Sequence, residues 1–313
     1  MDKSAKIVIP GAAGLVGQNL IVELKEQGFN NLVAIDKHPQ NTKILKELHP
    51  DIEVIEADLS EDGDWKYAFK DASVVLMLQA QIGAPTIEPF IKNNIESTKL
   101  ILEVIKEYNI PYLVHISSSV VNSVANDFYT NTKKEQEKLV VESGVKYCVL
   151  RPTLMFGWFD RKHLGWLSRF MEKVPFFPIP GDGKYMRQPL YERDFCRIII
   201  SAMQMQPENK IYNITGKEKI DYIDIIRTIK RVKGLKTPIV KIPFKLFKGL
   251  MATYALFSKN PPFTTQQLDA LVADDEFELI EWWDIFGVEP TPFEDAMRET
   301  FNDPKYSKII LKF

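Results

Sequence analysis

The sequence predicts an α/β fold, a doubly wound parallel sheet carrying a smaller carboxyl-terminal lobe. Three observations predict it. Short apolar runs alternate with amphipathic segments from residue 6 to residue 150, and a glycine-rich turn joins the first run to the first amphipathic segment. Past Arg151-Pro152, that alternation gives way to clustered prolines and glycines (Pro175, Pro178, Pro180, Gly181, Gly183) and to more aromatics.

In chain order, Lys-Ile-Val-Ile-Pro over 6–10 reads as a strand, and Asn19 to Gln27 as the helix behind the turn. Leu32 to Asp36 is the second strand, a polar segment around 40–48 the second helix, and 53–58 and 74–78 two further strands. Residues 90–108 predict a helix ended by Asn109-Ile-Pro111, and 112–116 the strand after it. A helix over 129–143 and a strand over 146–150 complete the first half. Right-handed crossovers turn such a series into a Rossmann-type sheet with its ligands at the carboxyl ends of the strands. The expected boundary follows residue 150, with 1–150 as a dinucleotide-binding domain and 151–313 as a substrate-binding lobe. Part of that lobe is expected back in the sheet, because 210–215 reads as one more strand and 221–233 as a helix.

Bulk composition agrees with such a protein. The 313 residues can bury a large core without disulfide or metal, and a net charge of −2 draws neither nucleic acid nor an anionic membrane. Cys148 and Cys196 follow no metal-ligand spacing and read as reduced, buried thiols. No apolar run has membrane-spanning length, and the first strand begins within six residues, so a cytoplasmic chain without signal peptide or anchor is expected. The segment 243–257 mixes aromatics with two lysines, and a helix packed on the lobe or lining a cleft is favoured over one lying on a membrane. Trp282-Trp283 reads as buried rather than as a stacking platform.

The glycine turn, Gly11-Ala-Ala-Gly14-Leu15-Val16-Gly17, follows a strand and opens a helix, the context a dinucleotide pyrophosphate requires. Gly11 permits the tight turn, Gly14 lets backbone approach the phosphates, and Gly17 lets helix pack on strand. Asp36, ending the second strand, suits both ribose hydroxyls and repels a 2′-phosphate, which favours NAD over NADP. A solvated turn acid is the plain alternative, and Lys37 and His38 soften the repulsion. Asp58 ends the third strand, as a partner for the adenine amine or as a helix cap. A second constellation is Tyr129 with Lys133, four apart at the start of a helix and therefore on one face. Bringing a tyrosine from about 10 to near 7 takes about 4 kcal/mol, which a lysine and a cationic ring together can supply. Such pairs arise by chance, but Ser117-Ser118-Ser119 ends the preceding strand, where an open sheet places its ligand.

Together these motifs resemble the extended branch of the short-chain dehydrogenase/reductase superfamily, the NAD-dependent epimerases and dehydratases of nucleotide sugars. Besides the residues above, the likeness rests on Asn94 in Asn-Ile-Glu-Ser-Thr, Leu150-Arg-Pro152, Phe156-Gly157 and Pro180-Gly-Asp-Gly183. It runs nearly end to end, with 263–301 similar to the family's usual ending. The resemblance implies that Tyr129 is the acid and base, that Lys133 holds the nicotinamide ribose, and that Ser119 bonds the reacting oxygen. It implies cofactor contacts at Leu15, Val16, Leu59, Gln79, Asn94 and Ser117 as well. Arg187 sits where the family meets the nucleotide diphosphate, with a surface charge as the alternative, and Asp194 starts the next helix. The implied reaction is epimerisation of a nucleotide sugar, at carbon 4, in a homodimer built on the helices 90–108 and 129–143.

The chain also departs from the family's pattern. Only nine residues separate Ser119 from Tyr129, where the usual sugar epimerases carry a longer insert. Leu78-Gln-Ala-Gln81 replaces a usual histidine and small residues, and no Asp-Glu pair follows the serines, which sets dehydration below epimerisation. The short gap resembles an atypical branch that includes NADPH-binding subunits of respiratory complex I. Two alternatives therefore stand beside the epimerase: a keto-sugar reductase or other oxidoreductase, and a non-catalytic NAD(P)-binding subunit or redox sensor.

Overall fold

The computed structural model describes residues 1–257 and 277–312. Seven parallel strands form the central sheet: β1 (Ile7–Pro10), β2 (Leu32–Asp36), β3 (Glu53–Glu56), β4 (Val74–Met77), β5 (Leu113–Ile116), β6 (Tyr147–Pro152) and β7 (Lys210–Ile214). Their order across the sheet is β7-β6-β5-β4-β1-β2-β3. The return of 210–214 beside β6 is the extra strand expected from the sequence. The sheet grows outward in opposite directions from β1, which pairs with β2 on one side and β4 on the other. Crossovers therefore leave on opposite faces, and a crevice opens above the carboxyl ends of β1 and β4.

The period of two along each strand explains why the sheet is covered on both faces. Ile7 and Ile9 face α1 (Leu15–Glu26) and the helix Glu192–Met205, in a core with Leu20, Leu24, Ile198 and Ile199. Val8 points the other way, into a core with Ile101 and Ile105 of the helix Ser97–Glu107 and Val140 of the helix Phe128–Val141. Each fully buried aliphatic side chain contributes roughly 2 kcal/mol. Both expected helices near 90–108 and 129–143 are present. The first is interrupted by a π-helical turn, Ile91–Glu96, whose Asn93 and Asn94 hydrogen-bond to Gln81 in the loop after β4.

A third core belongs to the lobe, where Leu164, Met171, Ile179, Ile226 and Met297 meet. The helix Phe244–Phe257 packs against Phe177–Pro180 and buries Phe247, while Leu246 and Leu250 stay exposed. Trp282 is buried, in the main core and not in the carboxyl-terminal lobe where burial of the pair is expected, and Trp283 packs against it only partly buried. Cys148 and Cys196 are free and buried. The expected family-like ending over 263–301 lies outside the described residues as far as 276. No helix among the described residues is long and apolar enough to cross a membrane.

Candidate active site

The crevice is a cleft of about 600 Å³, in the range of small-molecule and cofactor sites. Its floor is the glycine turn. Gly11 has φ +81° and lies so close to the Gln79 backbone that a β-carbon would overlap it. A β-carbon on Gly17 would strike the Ala12 carbonyl, so α1 can pack this closely only through glycine. Gly14, Leu15 and Val16 line the cleft at the amino end of α1, where no side chain caps the helix and its first turn holds no acid. Unpaired N–H groups and the helix dipole make that end a seat for phosphate.

Asp36 lines the wall beside the turn. Its two oxygens accept backbone N–H groups of Ala13 and His38, each at 3.0 Å. Burial raises its pKa against those hydrogen bonds, which favour the carboxylate. Asp58 and Leu59 follow on the same wall. Asp58 accepts from the Ser60 backbone and hydroxyl and pairs with Lys37 and Lys92, each at 3.3 Å. Partial burial opposes ionisation, but the Ser60 hydrogen bonds and Lys37 outweigh it and hold the carboxyl at about 2. Lys37 also reaches Asn93 at 2.5 Å, so the residue flagged as softening NADP repulsion is engaged on the acidic wall.

At the far end stand Gln79, Ser117, Ser118, Ser119, Tyr129 and Lys133. The Gln79 side-chain oxygen is buried without a hydrogen-bond partner among the described residues. Tyr129 is partly buried. Burial raises its pKa, and a hydrogen bond with the Ser118 hydroxyl works in the opposite direction. The three serines thus take different parts. Ser117 donates to Glu137 at 2.6 Å, Ser118 meets the phenol, and Ser119 begins the short helical turn Ser119–Asn122 on the cleft wall. Glu137 is in turn gripped by Arg151, whose Nε donates at 3.0 Å.

Lys133 is fully buried and donates to the Ile116 carbonyl at 3.0 Å and the Gln136 side-chain oxygen at 2.6 Å. Burial lowers its pKa to about 7, partly offset by Glu137. Burial is thus the largest influence on both the Tyr129 phenol and the Lys133 amine.

Two expected residues are not brought to the cleft wall. Asn94 sits behind it, fully buried, holding the Gln81 backbone N–H at 2.6 Å and the Thr132 hydroxyl at 3.0 Å, while its neighbour Asn93 lines the cleft. Arg187 lies on the short strand Met186–Arg187, paired with Ile220–Asp221 and close to Tyr222, away from the cleft lining. Sequence reasoning did not single out Lys162 and His163, which close the lobe side of the cleft, or Gln136. The first two carry no local pattern. The third had a signal, since it stands three residues after Lys133 on the same helix.

A parallel doubly wound sheet with an uncapped glycine-turn helix, an acid at the end of β2, and a tyrosine and a buried lysine in the same cleft defines a dinucleotide-dependent oxidoreductase. The chain belongs to the NAD dependent epimerase/dehydratase family, whose model matches residues 7–215. It is an NAD-dependent enzyme of the extended short-chain dehydrogenase/reductase type. It is 24% identical to sterol-4-alpha-carboxylate 3-dehydrogenase erg26, decarboxylating, of Schizosaccharomyces pombe, over 96% of this chain and 97% of that one. It is 26% identical to the uncharacterized UDP-glucose epimerase YtcB of Bacillus subtilis, over 74% and 83% of the two chains. The solved UDP-glucuronic acid 4-epimerase from Bacillus cereus in complex with NAD shares the fold, with a TM-score of 0.73, 21% identity and 94% and 96% of the chains covered.

Proposed function

We propose that the protein is a nucleotide-sugar epimerase that inverts carbon 4 through transient oxidation, with Tyr129 as acid and base. The observation that carries this reading is the placement of Tyr129, bonded to Ser118 and one helical turn from buried Lys133, in the same cleft as the glycine turn. NAD, when bound, supplies a hydride acceptor that becomes a hydride donor.

The chain's own residues do the rest. The amino end of α1 holds the pyrophosphate, Asp36 the adenosine ribose, and Lys133 the ribose nearer the phenol. Ser119 bonds the reacting oxygen, and Tyr129 takes the hydroxyl proton and later returns it to the opposite configuration. Residues 1–150 act as the NAD-binding domain and 151–313 as the substrate lobe. The likeness to the UDP-glucose epimerase of Bacillus subtilis and the UDP-glucuronic acid 4-epimerase of Bacillus cereus supports the epimerase reading. A homodimer on the helical segments 90–108 and 129–143 is part of it, supported by the exposed Ile91 and Val141 on those segments.

The test is a proton NMR time course with NAD and a panel of UDP-, GDP- and dTDP-sugars, run on wild type and Tyr129→Phe. Conversion by wild type alone is the expected outcome. No conversion of any sugar, with NAD bound, sinks the reading.

A second reading, net dehydrogenation of an apolar secondary alcohol, is favoured by one observation. Large apolar side chains stand exposed at the cleft mouth, Ile82 at 44% and Leu154 at 43%, while Arg187 lies away from it. The name of the Schizosaccharomyces pombe relative supports this alternative. NADH absorbance appearing with 3-hydroxysteroids and with no sugar would select it.

A further inference from the structure

Gln136 is a polar side chain with no exposed surface, on the inner face of the helix that carries Tyr129 and Lys133. A buried amide costs free energy unless both its ends are paired, and here both are. Its oxygen accepts from Lys133 Nζ at 2.6 Å. Its nitrogen donates to the Thr98 hydroxyl at 3.0 Å and to the Gln79 carbonyl at 3.3 Å. The orientation is fixed by the Gln79 carbonyl, which only accepts and must therefore meet the amide nitrogen. Thr98 passes its own proton to the Asn94 carbonyl at 2.7 Å and accepts from the Gln79 side chain at 3.3 Å. One amide therefore joins the buried lysine to the loop after β4, which carries Gln79 in the cleft wall.

We infer that Gln136 is the positioning residue of this site, holding Lys133 through its oxygen and locking that grip to the cofactor-facing loop through its nitrogen. The inference rests on the proposed placement of the cofactor beside Lys133. Gln136 is also neutral, which decides its electrical effect. Glu137 of the same helix is the carboxylate that acts on Lys133, and it is already paired with Arg151 from β6. From β5 comes His115, kept neutral by burial, and from the same helix Tyr129. The helix Ser97–Glu107 meets the network through the uncharged Thr98. With an amide as its closest side-chain partner, the lysine can shed its proton near neutrality; a carboxylate in that place would retain it.

The oxidised nicotinamide is cationic and the reduced one neutral, so the ratio of their dissociation constants reports the charge on Lys133. NAD and NADH are titrated by fluorescence from about pH 5.5 to about pH 9.5, a range that spans the lysine's titration. In wild type the ratio of the NAD to the NADH constant should fall as pH rises through neutrality, as the ammonium is lost. In Gln136→Glu the fall should move up by at least about one pH unit. In Gln136→Met, which fills the space without an acceptor, it should move down. Gln136→Glu preserves shape and carries the test if Gln136→Met fails to fold in a thermal melt. Coincident midpoints in the three proteins, or a flat ratio in wild type, overturn the role given to Gln136 while leaving the cofactor site standing. Failure of wild type to bind either nucleotide overturns both.

Discussion

Asp36 and Ala13 are joined by a 3.0 Å hydrogen bond from the Ala13 backbone N–H to the carboxylate, so the acid that ends β2 also braces the glycine turn. Removing it should act on cofactor choice and on turn geometry together. Asp36→Ala should weaken NADH binding by about 10- to 100-fold, the loss of one or two hydrogen bonds to a charged group. NADPH binding should change less or improve, because the carboxylate that repels a 2′-phosphate is gone while Lys37 remains. Parallel fluorescence titrations with both nucleotides measure this, and an unchanged preference would remove Asp36 from the ribose.

Ser118 and Ser119 should separate in kinetics. The Ser118 hydroxyl lowers the Tyr129 pKa against the burial that raises it. Ser118→Ala should therefore shift the rising limb of the pH–rate profile to higher pH, since the phenolate then forms later. Ser119→Ala should instead lower turnover by about 100-fold without moving that limb, the usual scale for a group acting in proton transfer. Interchanged behaviour would mean that the second serine, and not the third, faces the reacting oxygen.

Glu137 is nearly buried and depends on Arg151, which also donates to Asn122 at 3.0 Å. Arg151→Ala leaves a carboxylate whose one remaining hydrogen-bond partner among the described residues is the Ser117 hydroxyl, and it should destabilise the fold by about 3 kcal/mol. Urea unfolding checks the figure. A loss below about 1 kcal/mol would class the pair with surface ion pairs.

Glu192 begins the helix Glu192–Met205 with no exposed surface and no hydrogen-bond partner for either oxygen among the described residues. Burial, with the Asp160 charge adding to it, raises its carboxyl from 4.5 to about 8. Below the unfolded value both states are protonated, and the stability linked to this group is fully present. As pH rises toward the folded value, the unfolded chain releases a proton that the folded chain keeps, and that stability is lost. Glu192→Gln cannot release it. Its unfolding free energy relative to wild type should rise by a few kcal/mol between about pH 5 and about pH 8. Parallel pH curves for the two proteins would show that the buried carboxyl finds a partner on folding.

Much of the fold was legible because its signals are local. The alternation at Ile7, Val8 and Ile9 assigns one residue to each face of the sheet, whatever the partner strands. The glycine turn was legible for the same reason, since a positive φ at Gly11 and the close approach at Gly17 follow from the absence of a β-carbon. The π-helical turn at 91–96 was not legible, because a single added residue per turn leaves no mark on an apolar period.

The succession of strands and helices along the chain, the glycine turn and the place of Asp36 at the end of β2 were thus determined by the sequence alone, through backbone preferences and periodicities that need no distant partner. Tertiary structure decided which residues share the cleft. It turned Ser117 to Glu137, set Asn94 behind the wall and carried Arg187 away from it. It also brought Gln136 to the Gln79 carbonyl, 57 residues away in the chain. Such contacts, and the desolvation that draws the lysine toward neutrality, arise only when separate segments exclude water together, and no local pattern encodes that.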